Sequence, residues 1–167
     1  MVKVIFIDDN YIYQNYPFPN RLDRANLLSI ITLEQVTSIQ DLLGSALYED
    51  LEQKVYDENL TDSELALFRL VKYSLCLYTV KSAATFLRSA IANTKNEEKS
   101  TDSFSLDSIV SAIDSKIEYI NKRVVIYIKS DATMLALAKT STNDFFNEDD
   151  TYNSSVFYPS APLTGEC

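Results

Sequence analysis

Glycine occurs only twice in this chain of 167 residues, and one of the two, Gly44, falls where a long amphipathic pattern stops. The position suits a helix C-cap, because the residue after the last turn takes positive φ, which glycine alone reaches without steric cost. A second apolar run, from Ala46-Leu47-Tyr48 to Val55-Tyr56, resumes almost at once, so two helices have to meet at a tight corner. Thr61 and Glu64 then supply the Thr-x-x-Glu spacing of a capping box, in which each side chain serves the other residue's backbone N–H, and a longer helix opens. Prolines number only four. A sheet-rich fold of many turns lacks the residues to make them, and helices have to dominate.

The stripes along the chain agree. A first helix is expected from Asp23, its N-cap, to Leu43, with Leu28, Ile31, Ile39 and Leu42 as its apolar face and Leu27 and Val36 widening it. A short second helix covers Leu47 to Glu58. The third runs from Thr61 to about Ala92, with Leu65, Phe68, Val71, Leu75, Tyr78 and Phe86 at helical spacing. The polar run 93–104 reads as a solvated loop. A fourth helix begins at or just before Ser105, marked by Leu106, Ile109, Ile113, Ile117, Ile120, Val124 and Tyr127. Ala132 to Lys139 adds a short helical piece.

Three stretches depart from this pattern. Val2-Lys3-Val4-Ile5-Phe6-Ile7 is short, largely β-branched and ends at Asp8-Asp9-Asn10, which reads as a strand stopping at a turn. A lone strand leaves its backbone unpaired, so it needs another segment of this chain or the edge of a second copy; Val2, Val4, Ile5, Phe6 and Ile7 are the candidates for such subunit pairing. Tyr11 to Asn20, with Pro17 and Pro19, reads as an extended aromatic loop whose tyrosines either line a contact surface or lean on the core. Val124 to Ile128 is β-branched on every face. There the fourth helix is either buried all round or gives way to a strand that partners residues 2–7, and helix is the slightly favoured reading.

From Thr140 the texture changes. Acidic residues alternate with Phe145, Phe146, Tyr152, Phe157 and Tyr158, and Pro159, Pro162 and Gly165 follow. Such a segment builds no core of its own, yet its rings suit docking into grooves on a partner. Residues 1–139 are therefore expected to form one helical domain and 140–167 an extended, partner-binding arm. The fold class is mainly α: a bundle of three to four helices with a short N-terminal β segment.

A net charge of −9 argues against a protein that grips nucleic acid, since phosphate binding is driven by lysine and arginine. The chain has no histidine, which removes the commonest general base and a leading metal ligand. Asp8-Asp9, Glu97-Glu98 and Asp149-Asp150 are the paired carboxylates, and none has a companion histidine, a phosphate loop or a second cluster at motif spacing. No catalytic, cofactor-binding or metal-binding residues are expected. Cys76 reads as a buried small hydrophobe and Cys167 as a free thiol. The N-terminus resembles neither a signal peptide nor a membrane span. Eleven tyrosines without a tryptophan favour interfaces, where a ring with a polar tip is useful.

The order of a helix ending in Leu42-Leu43-Gly44-Ser45-Ala46-Leu47-Tyr48, a short helix through Leu51 and Val55, then Asn59-Leu60-Thr61-Asp62 and a long helix resembles the small head-to-tail connector proteins of tailed bacteriophages, in particular those of crAss-like and other phages of Bacteroides-type hosts. The aliphatic segment Val2 to Ile7 has its counterpart there as well. The likeness spans roughly residues 1–130 and leaves the tail uncovered. It implies a structural protein of the virion neck, made in the host cytoplasm. Copies would form an adaptor ring, commonly a dodecamer, between the portal protein and the tail or a second connector ring. DNA would pass through the channel without specific binding, and no membrane is involved. The alternative from another class is a small helical regulator that binds one host protein, and self-association separates the two.

Overall fold

The computed structural model describes residues 4–16, 23–93, 100–139 and 146. Among them the order is α1 (Asp9–Asn15), α2 (Arg24–Glu34), a π-helical turn (Gln35–Ile39), α3 (Gln40–Leu43), α4 (Ser45–Tyr56), α5 (Asp62–Asn93), α6 (Ser100–Ser130) and α7 (Ala132–Lys139). α2, the π turn and α3 run on as one rod. The described residues thus hold six helical bodies where the sequence leads one to expect three or four, and no strand.

α5 is the centre. Its middle is apolar on nearly every side, the mark of a helix enclosed by others, and Val71, Leu75, Cys76, Leu77, Val80, Ala83 and Ala84 are buried. α1, α2, the π turn and α6 all pack on it. α6 contributes Ile113, Ile117, Ile120, Val124 and Ile128 to the core, each worth about 1.5–3 kcal/mol of removed apolar surface. Polar ties fix the register between these two long helices. Ser74 Oγ donates to Asn121 Oδ1 at 2.8 Å, and Asn121 Nδ2 donates to the Tyr78 hydroxyl at 2.8 Å. At the far end the Tyr127 hydroxyl donates to the Ser63 carbonyl at 3.1 Å. Leu65 and Phe86, expected on the buried stripe, are exposed; both lie towards the ends of α5, beyond its enclosed middle.

The corners follow local chemistry. Gly44 has φ 78° and ψ 149°, a region closed to side chains with a Cβ, and its N–H donates to the Gln40 carbonyl at 2.9 Å. The capping box is complete: Thr61 N–H donates to Glu64 Oε2 at 2.9 Å and Glu64 N–H to Thr61 Oγ1 at 3.3 Å. Asp23 caps α2, and Asp131 caps α7 by accepting from Thr133 and Met134 N–H.

Other expectations need correction. Val4 to Asp8 is irregular, not a strand, because a buried side chain, Gln35, and no second strand, meets its backbone groups. Residues 11–15, expected in an aromatic loop, belong to α1, because the Asp8 carboxylate accepts the Tyr11 N–H at 2.8 Å and starts a helix there. Pro17 and Pro19, which motivated the loop, come after that helix and lie outside the described residues. Val124 to Ile128 is helical and not buried all round, for Ile126 faces outwards. α6 starts at Ser100, so Asn93 and residues 100–104 of the expected loop are helical, and 94–99 lie outside the described residues. Val36 is exposed and Gln35 takes the inward position. In an α-helix, steps of four residues drift by about 40° each; the wider π turn takes up that drift. Leu27, Ile31, Gln35, Ile39 and Leu43 therefore all stay buried.

Candidate interaction surface

The irregular N-terminal segment is held by one side chain. Gln35, fully buried where the π turn begins, accepts the Phe6 N–H on Oε1 at 2.8 Å and donates from Nε2 to the Val4 carbonyl at 2.7 Å. A carboxamide carries a donor and an acceptor side by side, as a peptide group does, so it pairs with a passing backbone as a strand would. This explains how a β-branched segment sits in the protein without a sheet. Phe6 and Ile7 are buried behind the clasp, and the Phe6 ring meets Phe68 edge-on at 5.2 Å and Tyr48 at 5.7 Å.

The second hydrogen of Gln35 Nε2 goes to the Tyr48 hydroxyl at 3.1 Å, and that hydroxyl donates to Glu52 Oε1 at 3.4 Å. The chain of bonds fixes the amide's orientation, since only Oε1 can accept from Phe6. Burial pushes the Tyr48 phenol above its ordinary value of 10.0, the Gln35 amide pulls it back and Glu52 adds to the rise. The phenol therefore remains a donor. α1 is fastened beside this network. Lys72 Nζ lies 5.2 Å from the centre of the Tyr11 ring and 5.3 Å from that of Phe68, and Arg24 pairs with Asp9 at 3.2 Å.

A second cluster braces α4 against α5. Lys54 Nζ donates to Asp50 at 2.7 Å and also to Glu64. These hydrogen bonds, Asp50 first, raise the lysine above its ordinary value. Partial burial works against a charge on Glu64, but donors from Lys54 and Thr61 outweigh it and hold the carboxyl below its ordinary value. Burial alone pushes the Cys76 thiol up to about 12, which leaves it protonated and unreactive.

The expected contact residues are scattered. Val4 is half-buried, Ile5 exposed, and Phe6 and Ile7 buried in their own chain, so the N-terminal segment turns most of its apolar surface inwards. Phe146, expected in the arm, is 1 % exposed and belongs to the core. Val2, Phe145, Tyr152, Phe157 and Tyr158 lie outside the described residues, as do Asp149-Asp150 and Cys167. Of the aromatic N-terminal stretch, Tyr11 and Tyr16 lean on the core and Tyr13 faces outwards. Exposed apolar side chains cluster elsewhere: Leu33 and Val36 adjoin on the outer face of the α2 rod, and Tyr119 and Ile126 share the outer face of α6. The sequence reading passed over Gln35 and Glu52, and took Tyr48 only as part of the apolar run after Gly44. The signal for Gln35 was there, a polar residue four positions from both Ile31 and Ile39 on a core stripe.

Among the described residues no group of His, Cys, Asp and Glu is arranged to hold a metal ion, and no helix is long and apolar enough to cross a membrane. What the geometry offers is shaped apolar surface, ion-paired helix corners and a side-chain clasp on a backbone segment. No protein-family model matches the chain, and neither a curated protein nor a solved structure does.

Proposed function

We propose that this chain is a structural subunit of a phage virion, one copy of a ring between the portal and the tail that continues the DNA channel and docks the tail. The observation that carries the reading is the unit from α3 to α5. A helix ends at Gly44, a short helix follows, and a boxed N-terminus opens the long helix; on this arrangement the likeness to head-to-tail connectors rests. Two further features fit. A net charge of −9 suits a channel wall that repels the phosphate backbone and lets DNA slide. The outward-facing Leu33 and Val36 provide apolar surface for the heterologous contact by which a ring closes. Phe146, packed in the core, roots the tail to the body. The rings beyond it, Tyr152, Phe157 and Tyr158, are the ones that reach the portal or a neighbouring ring.

Mass by light scattering of the purified chain, alone and mixed with the portal protein of the same genome, tests the proposal. A ring-sized species, alone or only with the portal, supports it. A monomer indifferent to the portal refutes it and turns attention to a helical regulator of a host protein.

A further inference from the structure

α5 is acidic only at its start. Asp62 and Glu64 are its carboxylates, and residues 65–93 contain none, against Arg69, Lys72, Lys81 and Arg88. On a chain with a net charge of −9 that stretch runs against the average. Lys81 pairs with Asp114 at 2.7 Å, but Arg69 and Lys72 have no carboxylate partner among the described residues. They stand three positions apart, and Tyr73 stands four from Arg69, so the three side chains are neighbours on one face of the helix. Two like charges at that spacing repel, and no carboxylate of the described residues offsets the repulsion.

Lys72 is half-buried, and a lysine drawn towards the interior is ordinarily paired with an anion. Its neighbours here are rings: Nζ lies 5.2 Å from the centre of Tyr11, which α1 brings across this face, and 5.3 Å from that of Phe68. Ring faces attract an ammonium but leave its three N–H donors free for an oxygen acceptor. The Tyr11 and Tyr73 hydroxyls also have no hydrogen-bond partner among the described residues. Burial pushes the Tyr11 phenol above its ordinary value of 10.0, and the nearby Cys76 and Tyr73 groups push it further, so the two tyrosines adjoin and Tyr11 remains a donor. An ammonium, a guanidinium and two phenols from α1 and α5 thus stand side by side without a protein acceptor among them. We propose that this face, where α1 crosses α5, is an oxyanion site that takes a phosphate group. Lys72 and Arg69 supply the charge, and the Tyr11 and Tyr73 hydroxyls the remaining donors. A tetrahedral group uses donors arriving from several directions and accepts two bonds at once from a guanidinium fork, where a carboxylate offers two oxygens in one plane. The group belongs either to a free phosphate or to the backbone of a nucleic acid. Bound there it ties α1 to α5 and, being held only by the folded chain, stabilises the fold. The inference goes beyond the connector reading and does not depend on it.

Inorganic phosphate titrated into the full, isotope-labelled chain at a constant ionic strength of about 0.15 M tests it through backbone amide signals. Those of residues 10–16 and 68–76 are expected to shift saturably with a midpoint on the order of 1 mM, and chloride should leave them in place. The double variant Arg69→Met, Lys72→Met keeps apolar stems against the rings and should lose the saturation with an unchanged circular dichroism spectrum. Tyr11→Phe removes one donor and should raise the midpoint about fivefold. A short single-stranded DNA separates the two sources. Saturation of the same amides at least about tenfold below the phosphate midpoint assigns the site to a nucleic-acid backbone, and a midpoint no lower than that of phosphate assigns it to the free ion. Three results overturn the proposal: neither probe saturates, chloride moves the same amides equally, or the response survives in the double variant.

Discussion

Replacing Gln35 with leucine keeps the side chain's bulk and removes all three of its hydrogen bonds. The Phe6 N–H is buried and loses its acceptor, and an unsatisfied buried donor costs about 1–3 kcal/mol. The Val4 carbonyl is half-buried and regains water, so its loss is small. The Tyr48 hydroxyl keeps Glu52 and gives up one bond, about 0.5–1.5 kcal/mol. Together these come to about 2–4 kcal/mol, against the roughly 5–15 kcal/mol that holds an ordinary domain together. Release of the segment would avoid that penalty but expose Phe6 and Ile7, at about 1.5–3 kcal/mol each. The segment therefore stays docked and the whole domain is weakened. Urea unfolding followed by circular dichroism should show an unchanged slope and a midpoint lower by about 1–2 M, for a slope near 2 kcal/mol per M. Gln35→Glu is the companion variant. Its carboxylate still accepts from Phe6 but donates to neither Val4 nor Tyr48, and it adds a charge close to Glu52, so it should be no better tolerated. A loss below about 0.5 kcal/mol for Gln35→Leu would show that the clasp is incidental and that burial of Phe6 and Ile7 alone seats the segment.

Gly44→Ala should destabilise the fold by about 1–3 kcal/mol, read as a lower melting temperature, since the residue is buried at a φ and ψ that a Cβ does not tolerate; an unchanged melting temperature would mean that the corner relaxes. Glu64→Gln should cost stability at neutral pH and less as pH falls. The folded carboxyl lies below its ordinary 4.5, so its contribution is complete above that pH and fades as pH drops through the lower folded value; parallel pH profiles for wild type and variant would contradict this. In a Cys167→Ser background, Cys76, with its thiol pushed up to about 12, should resist a thiol reagent at pH 8 and react once urea unfolds the chain. Replacing Phe157 and Tyr158 with serine should leave the melting curve in place and weaken assembly with the portal; incorporation into particles at wild-type occupancy would discount the distal arm.

Much of the helical layout was legible because its signals act over a few residues. Gly44, the Thr61/Glu64 box and the Asp23 cap each satisfy backbone groups within four positions, so their geometry follows from side-chain type and spacing wherever the helices later pack. The same locality explains α1: the Asp8 carboxylate reaches the Tyr11 N–H three residues on, and reading the prolines as governing the whole stretch hid that cap. Val124 to Ile128 shows the reverse case. Its β-branched residues suit strand or helix, and the long face of α5, with its ties to Asn121 and Tyr127, decides for helix.

What the sequence determined by itself was the corner at Gly44, the capped starts of α2 and α5, and that the chain is acidic and built mainly of helix. The tertiary structure decided which partner completes the N-terminal segment, where the first stripe shifts its register, and that Phe146 belongs to the core. Gln35 is recognisable as a polar residue on a buried stripe, but its partners at Val4 and Phe6 lie 31 and 29 positions away. Only the packing of α2 against the chain's beginning makes an amide there serve as a strand's edge, since a hydrogen-bonding group specifies its own geometry while the fold selects its partner.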